Sequence, residues 1–107
     1  MTHQLFIYGT LRDPEVQMAV IGRHPSGVVT VLRGYCKTSV LVDGVSFPDL
    51  IAAPSDSVTG EIIAVNAREL SRLDRYEGSA YERVTVTLEN GQSASVYHTN
   101  GAHRKVR

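Results

Sequence analysis

Glu77 stands where a glutamate does a helix no good. The stretch from Asn66 to about Glu77 reads as a helix stopped by Gly78, and its last turn is the negative end of the helix dipole. That end favours Arg72 and Arg75 and disfavours a carboxylate. Asp74, three residues earlier on roughly the same face, adds a second negative charge. Both effects are expected to raise the Glu77 pKa, which would make it a general acid and base near neutral pH. The plain alternative is an exposed helix-end glutamate paired with an arginine. A second candidate is Tyr8-Gly9-Thr10-Leu11. Leu5 to Tyr8 form an unbroken strand-like run that meets Gly9. Glycine can adopt backbone angles closed to other residues, and without a Cβ it lets a ligand approach the amides of Gly9, Thr10 and Leu11. Such amides can hold a carboxylate or a developing oxyanion. The alternative here is a structural turn after a strand.

These candidates depend on the elements around them. Asp13-Pro14-Glu15 starts a short helix with Asp13 as N-cap and Pro14 at the first helical position. It ends near Ile21 at Gly22, with Val16, Ala19 and Val20 on its inner face, and should cover the end of the first strand. Gly27 to Val42 is strand-like, as one bent strand or two, with Gly34 as a bulge or bend. Asp43-Gly44 makes a tight hairpin turn into Val45 to Phe47. Pro48 is expected to interrupt the ladder. Leu50 to Ala53 is a further short strand, 54–59 a polar loop, and Gly60 to Val65 strand again. Asn66-Ala67-Arg68-Glu69 fits a capping box, with Val65 and Leu70 placed as its hydrophobic staple. Leu70 and Leu73 form the inner face of that helix. Tyr81 to Leu88 alternates as a strand, Asn90-Gly91 turns, and Ser93 to Thr99 pairs back. The sum is six or seven short strands with two short helices, an α+β chain around a mainly antiparallel, strongly bent or closed sheet.

The 107 residues, 1–107, suit a single domain with one site. Eleven basic and eleven acidic side chains cancel, and the five Tyr and two Phe are not interleaved with basic residues, so no nucleic-acid partner is expected. The short basic stretch His103-Arg104-Lys105 reads as a solvated terminus. The lone Cys36 excludes an internal disulfide and reads as a small packed side chain. His3, His24, His98 and His103 lack metal-ligand spacing, so no metal is expected. Met1 to Gln4 leads directly into a strand, with no apolar run long enough for a signal or membrane helix. A soluble, cytoplasmic protein without membrane partners is the expectation. No Gly-x-Ser-x-Gly elbow surrounds Ser46, Ser55, Ser57 or Ser79. Glu61 reads as a rim or barrel-facing structural residue, with a second catalytic acid as its alternative.

Taken together, Tyr8-Gly9-Thr10-Leu11 on an N-terminal strand, then Leu73-Asp74-Arg75-Tyr76-Glu77-Gly78 and Tyr81-Glu82-Arg83, resemble the gamma-glutamylcyclotransferase-like family, which includes the AIG2-like proteins and gamma-glutamylamine cyclotransferases. Phe47-Pro48 to Val65, with Val58-Thr59-Gly60-Glu61 inside it, is similar to that family's middle region. The resemblance implies a small mixed, mainly antiparallel β-barrel with two short helices and a cavity floored by the Tyr8 to Leu11 loop. It implies that the loop amides bind substrate and that the Glu of the Leu-Asp-x-x-Glu-Gly pattern, here Glu77, is catalytic. Tyr8 and Tyr81 would line the cavity, although Tyr81 also suits a core position. Further walls are expected from the loops Arg23 to Gly27 and Gly44 to Asp49. The implied reaction closes a gamma-glutamyl amide into 5-oxoproline and releases an amine, with no cofactor. The implied partner is a small molecule carrying a gamma-glutamyl group. The rival is a non-catalytic small-molecule-binding or regulatory module of the same fold.

Overall fold

The structure, a computed structural model, describes residues 2–99; the basic stretch His103-Arg104-Lys105 lies outside them. Strand β1 (Thr2–Ile7) leads through a 3-10 turn (Thr10–Arg12) into helix α1 (Pro14–Ile21). Strands β2 (Val28–Val42) and β3 (Val45–Asn66) form a long hairpin, and helix α2 (Ala67–Glu77), β4 (Tyr81–Thr87) and β5 (Ser93–Thr99) follow. The five strands lie in the order β2-β3-β1-β5-β4. All pairs are antiparallel except β1 with β5, which run parallel. The sheet curls into a half-barrel. Its outer strands meet at one end, where the Glu89 amide donates to the Val31 carbonyl at 2.9 Å and Arg33 pairs with Glu89.

The unbroken apolar run of β1 is explained by a strand buried on both faces. Phe6 and Tyr8 join Leu32, Val58, Ile62 and Val96 inside the curl. Leu5 and Ile7 join Ile63, Val65, Leu70 and Leu73 under the helices. Leu5, Phe6 and Ile7 are at most 1% exposed, and each such side chain contributes about 2 kcal/mol by burial. Gly60 belongs to the same contact, because a Cβ there would run into the Ile7 carbonyl and the Phe6 ring.

Local signals formed as their residue types dictate. The Asp13 side chain accepts from the Glu15 amide at 2.9 Å and caps α1. Asn66 and Glu69 make both bonds of the capping box, at 2.8 and 3.0 Å. Asp43 and Gly44 take φ of 52° and 80° in the β2–β3 turn, as a tight hairpin requires.

The middle of the chain departs from the expected run of short strands. Neither Pro48 nor the 54–59 segment breaks β3, so five strands replace six or seven. Pro48 pairs with Ser39, while β1 joins β3 only over Glu61 to Asn66. Pro48 therefore lies on a stretch of β3 that the sheet pairs on one side, where a missing N–H is tolerated. Pro54 falls in a register shift. Tyr35 pairs with Ala52 and Arg33 with Ser57, so Gly34, at φ 89°, faces residues 53–56. The inner face of α1 also differs, since Gln17 and Ile21 are buried while Ala19 is exposed. The Gln17 amide donates to the Leu11 carbonyl at 2.8 Å and ties α1 to the 3-10 turn.

Candidate active site

The strand-to-turn junction after β1 and the end of α2 meet at one cavity of about 150 Å³. Phe6, Ile7, Tyr8, Leu11 and Tyr97 are its buried lining, and Phe47, Tyr76 and Thr10 are exposed at its rim. Gly9, Pro48, Glu77 and Tyr81 complete the walls. Of the expected wall loops, Gly44 to Asp49 supplies Phe47 and Pro48. Arg23 to Gly27 lies elsewhere: Arg23 bonds Glu69, and Gly27 packs against Glu61.

Gly9 has a φ of −126° and a ψ of −133°, a pair outside the extended and helical regions. Close packing also calls for glycine here, because a Cβ would stand 2.6 Å from Pro48 Cγ. In the 3-10 turn, the Arg12 and Asp13 amides bond back to the Gly9 and Thr10 carbonyls at 3.0 Å. The amides ahead of them are the ones that such a turn leaves without an internal acceptor. Thr10 Oγ1 lies 3.4 Å from the Tyr76 hydroxyl, joining the turn to α2 at the rim.

Glu77 is the last residue of α2 and is half-buried. Burial raises its pKa from an ordinary 4.5 to about 7. The direction agrees with the sequence argument, but the cause is desolvation and not the Asp74 charge. Asp74 is engaged elsewhere: its Oδ1 accepts from Arg83 Nε at 2.7 Å and from the Tyr97 hydroxyl at 2.6 Å, and its Oδ2 accepts from Arg83 at 3.1 Å. Burial works against the Asp74 carboxylate, and the Arg83 and Tyr97 hydrogen bonds outweigh it, leaving its pKa below the ordinary value.

Tyrosines and a buried carboxylate hold the walls. The Tyr8 hydroxyl donates to the Tyr97 carbonyl and the Tyr81 hydroxyl to the Pro48 carbonyl, each at 2.6 Å. Burial first, and then the charges of Glu77 and Asp49, push the Tyr81 phenol up. A phenol so held is a neutral hydrogen-bonding group. Asp49, fully buried, accepts from the Thr99 amide at 2.9 Å and the Thr99 hydroxyl at 2.6 Å, and so fixes the wall beside Pro48. Glu61 forms an ion pair with Arg12 at 3.0 Å and is not among the lining residues.

Tyr8, Gly9, Thr10, Leu11, Glu77 and Tyr81, singled out from the sequence, all line this one cavity. Tyr97 and Asp49 were not. The alternation of β5 could have pointed to Tyr97, and an acidic residue between Pro48 and Leu50 in an apolar strand could have pointed to Asp49. Among the described residues, no three His, Cys, Asp or Glu side chains are grouped as metal ligands would be. No helix among them is long and apolar enough to cross a membrane.

Residues 5–107 match the family model described as gamma-glutamyl cyclotransferase, AIG2-like. Protein AIG2 C of Arabidopsis thaliana is 32% identical over 99 residues, covering 89% of this chain and 59% of that protein. The chain thus spans about three fifths of that relative's length. The solution structure of an Arabidopsis thaliana protein superposes with a TM-score of 0.78 at 30% identity, covering 92% of this chain and 69% of that one. A gamma-glutamyl cyclotransferase structure gives 0.73 at 18% identity, covering 94% and 68%, which is a likeness of fold. The chain belongs to the gamma-glutamyl cyclotransferase, AIG2-like family.

Proposed function

We propose that this protein is a gamma-glutamyl cyclotransferase-type enzyme, which closes a gamma-glutamyl amide into 5-oxoproline and releases an amine. The observation that carries the reading is the convergence of Glu77, its pKa raised to about 7, with the Tyr8 to Leu11 turn on one small, aromatic-walled cavity. A cavity near 150 Å³ is the size that takes a benzene-sized group, which suits a gamma-glutamyl chain folded toward a five-membered ring.

The attack is intramolecular, so the protein's main task is to hold the chain bent. Glu77 takes one proton from the alpha-ammonium of the substrate. The freed amine attacks the gamma-carbonyl, forming the ring C–N bond and a tetrahedral oxyanion. As the bond to the departing nitrogen breaks, the ring nitrogen gives up a second proton. The departing amine takes up both protons and leaves as an ammonium, with Glu77 ionised again. A carboxyl group titrating near neutrality serves both directions of that transfer. The amides of Gly9, Thr10 and Leu11 orient the substrate or stabilise the oxyanion, and Tyr8 and Tyr81 shape the wall.

The test is to incubate the protein with gamma-glutamyl amines and gamma-glutamyl amino acids and to measure 5-oxoproline by mass spectrometry, with Glu77→Gln alongside. Wild type is expected to form product, and the variant to lose at least about a hundredfold in kcat. A folded wild type that yields no 5-oxoproline from any of them would point instead to a binding module of the same fold.

A further inference from the structure

The last turn of α2 has little apolar packing of its own. Leu73 is the last fully buried side chain of the helix; Asp74, Arg75 and Tyr76 are exposed and Glu77 is half-buried. Helix ends fray unless something holds them. Asp74 makes the connections. One carboxylate oxygen accepts from Arg83 on β4 and from the Tyr97 hydroxyl on β5, and the other accepts from Arg83 again. The Asp74 carbonyl also accepts the Gly78 amide at 3.0 Å, closing the turn that carries Glu77. Tyr97 continues the chain of contacts, because its carbonyl takes the Tyr8 hydroxyl at 2.6 Å where β1 gives way to the 3-10 turn.

Resting on the reading above, we infer that Asp74 is a positioning residue: through Arg83, Tyr97 and Tyr8 it fixes the end of α2, and with it Glu77, against the Tyr8 to Leu11 turn. Asp74 does not line the cavity that holds Glu77. It borders a second hollow, which shares Tyr81 and Tyr97 with that cavity, so its carboxylate acts through its neighbours. Arg83 supplies two charge-assisted hydrogen bonds in a fork, a geometry that sets orientation as well as distance. Proton transfer is sensitive to such placement, and a displacement near 1 Å can reduce turnover about a hundredfold.

The experiment measures kcat, KM and the pH profile of Asp74→Ala, Asp74→Asn and Tyr97→Phe on a gamma-glutamyl amide that wild type turns over, with thermal unfolding as a control. In folded Asp74→Ala, kcat is expected to fall about a hundredfold with KM within about threefold of wild type. Asp74→Asn, which keeps one acceptor oxygen, should recover part of that loss. Tyr97→Phe keeps the buried ring and removes only the hydroxyl, so it remains informative if Asp74→Ala does not fold. It is expected to lower kcat about tenfold. The acid limb of the profile should stay in place in the variants, since burial sets the Glu77 pKa. Unchanged kcat in folded Asp74→Ala or in Tyr97→Phe overturns the inference and leaves the cyclotransferase reading standing. So does a loss confined to KM, or an acid limb moved by more than a unit. Absence of 5-oxoproline from wild type itself overturns both.

Discussion

Glu77→Gln should make the protein more stable while losing most of its turnover, and the gain should appear only above mildly acidic pH. In the folded protein the Glu77 pKa lies near 7, against an ordinary 4.5, because the charged form is desolvated. Between those two values the folded chain retains a proton that the unfolded chain has released, so stability falls as pH rises. Each pH unit of that interval is worth about 1.4 kcal/mol, which puts the full penalty above pH 7 at about 3 kcal/mol. Solvent screening at a half-buried group reduces this, and about 1–3 kcal/mol is the working range. Glutamine has nearly the same shape and no charge, so it escapes the penalty. Urea unfolding of both proteins at pH 4 and pH 8 measures it directly. At pH 4 the two midpoints should coincide. At pH 8 the variant should be more stable by about 1–3 kcal/mol with the same denaturant slope. A stability difference that is the same at both pH values would refute the burial argument for Glu77 and remove the physical basis for treating it as the acid and base.

Other substitutions test the rest of the site. Gly9→Val would drive a side chain into Pro48, 2.6 Å from where its Cβ must sit; a cost of about 1–3 kcal/mol and a KM raised at least about tenfold are expected, and an unchanged KM in a folded variant would exclude the turn as the substrate seat. Asp49→Ala leaves the buried Thr99 amide and hydroxyl without the acceptors they now use. A loss of about 2–4 kcal/mol is expected by chemical denaturation, and a loss below about 0.5 kcal/mol would show that the clasp does not hold the wall. Glu69, hydrogen-bonded by Arg23, has its pKa lowered from 4.5 to about 2. Its contribution is complete above pH 4.5 and is lost as pH falls through about 2. Glu69→Gln should therefore flatten the acid side of the stability profile, and an identical profile would remove the ion pair as its cause.

The sequence by itself determined the features whose causes are short-range. Asp13 and Pro14 start α1, Asn66 and Glu69 cap α2, and Asp43-Gly44 turns the long hairpin, because each signal is completed within four residues. It also marked Glu77 as misplaced for helix stability and Gly9 as a break after a buried strand. Tertiary structure decided what those residues meet. Pro48 and Pro54 read as breaks, yet β3 continues through both, because one falls where the sheet pairs a single side of the strand and the other at a register shift opposite Gly34. The parallel pairing of β1 with β5 puts Tyr8 beside Tyr97, a contact between residues 89 apart. Local charge spacing set Asp74 against Glu77, whereas in the fold Arg83 and Tyr97 claim Asp74 and burial alone raises Glu77. Burial and desolvation are sums over everything packed around a group, so the pKa of Glu77 is a property of the folded site and not of its neighbours in the chain.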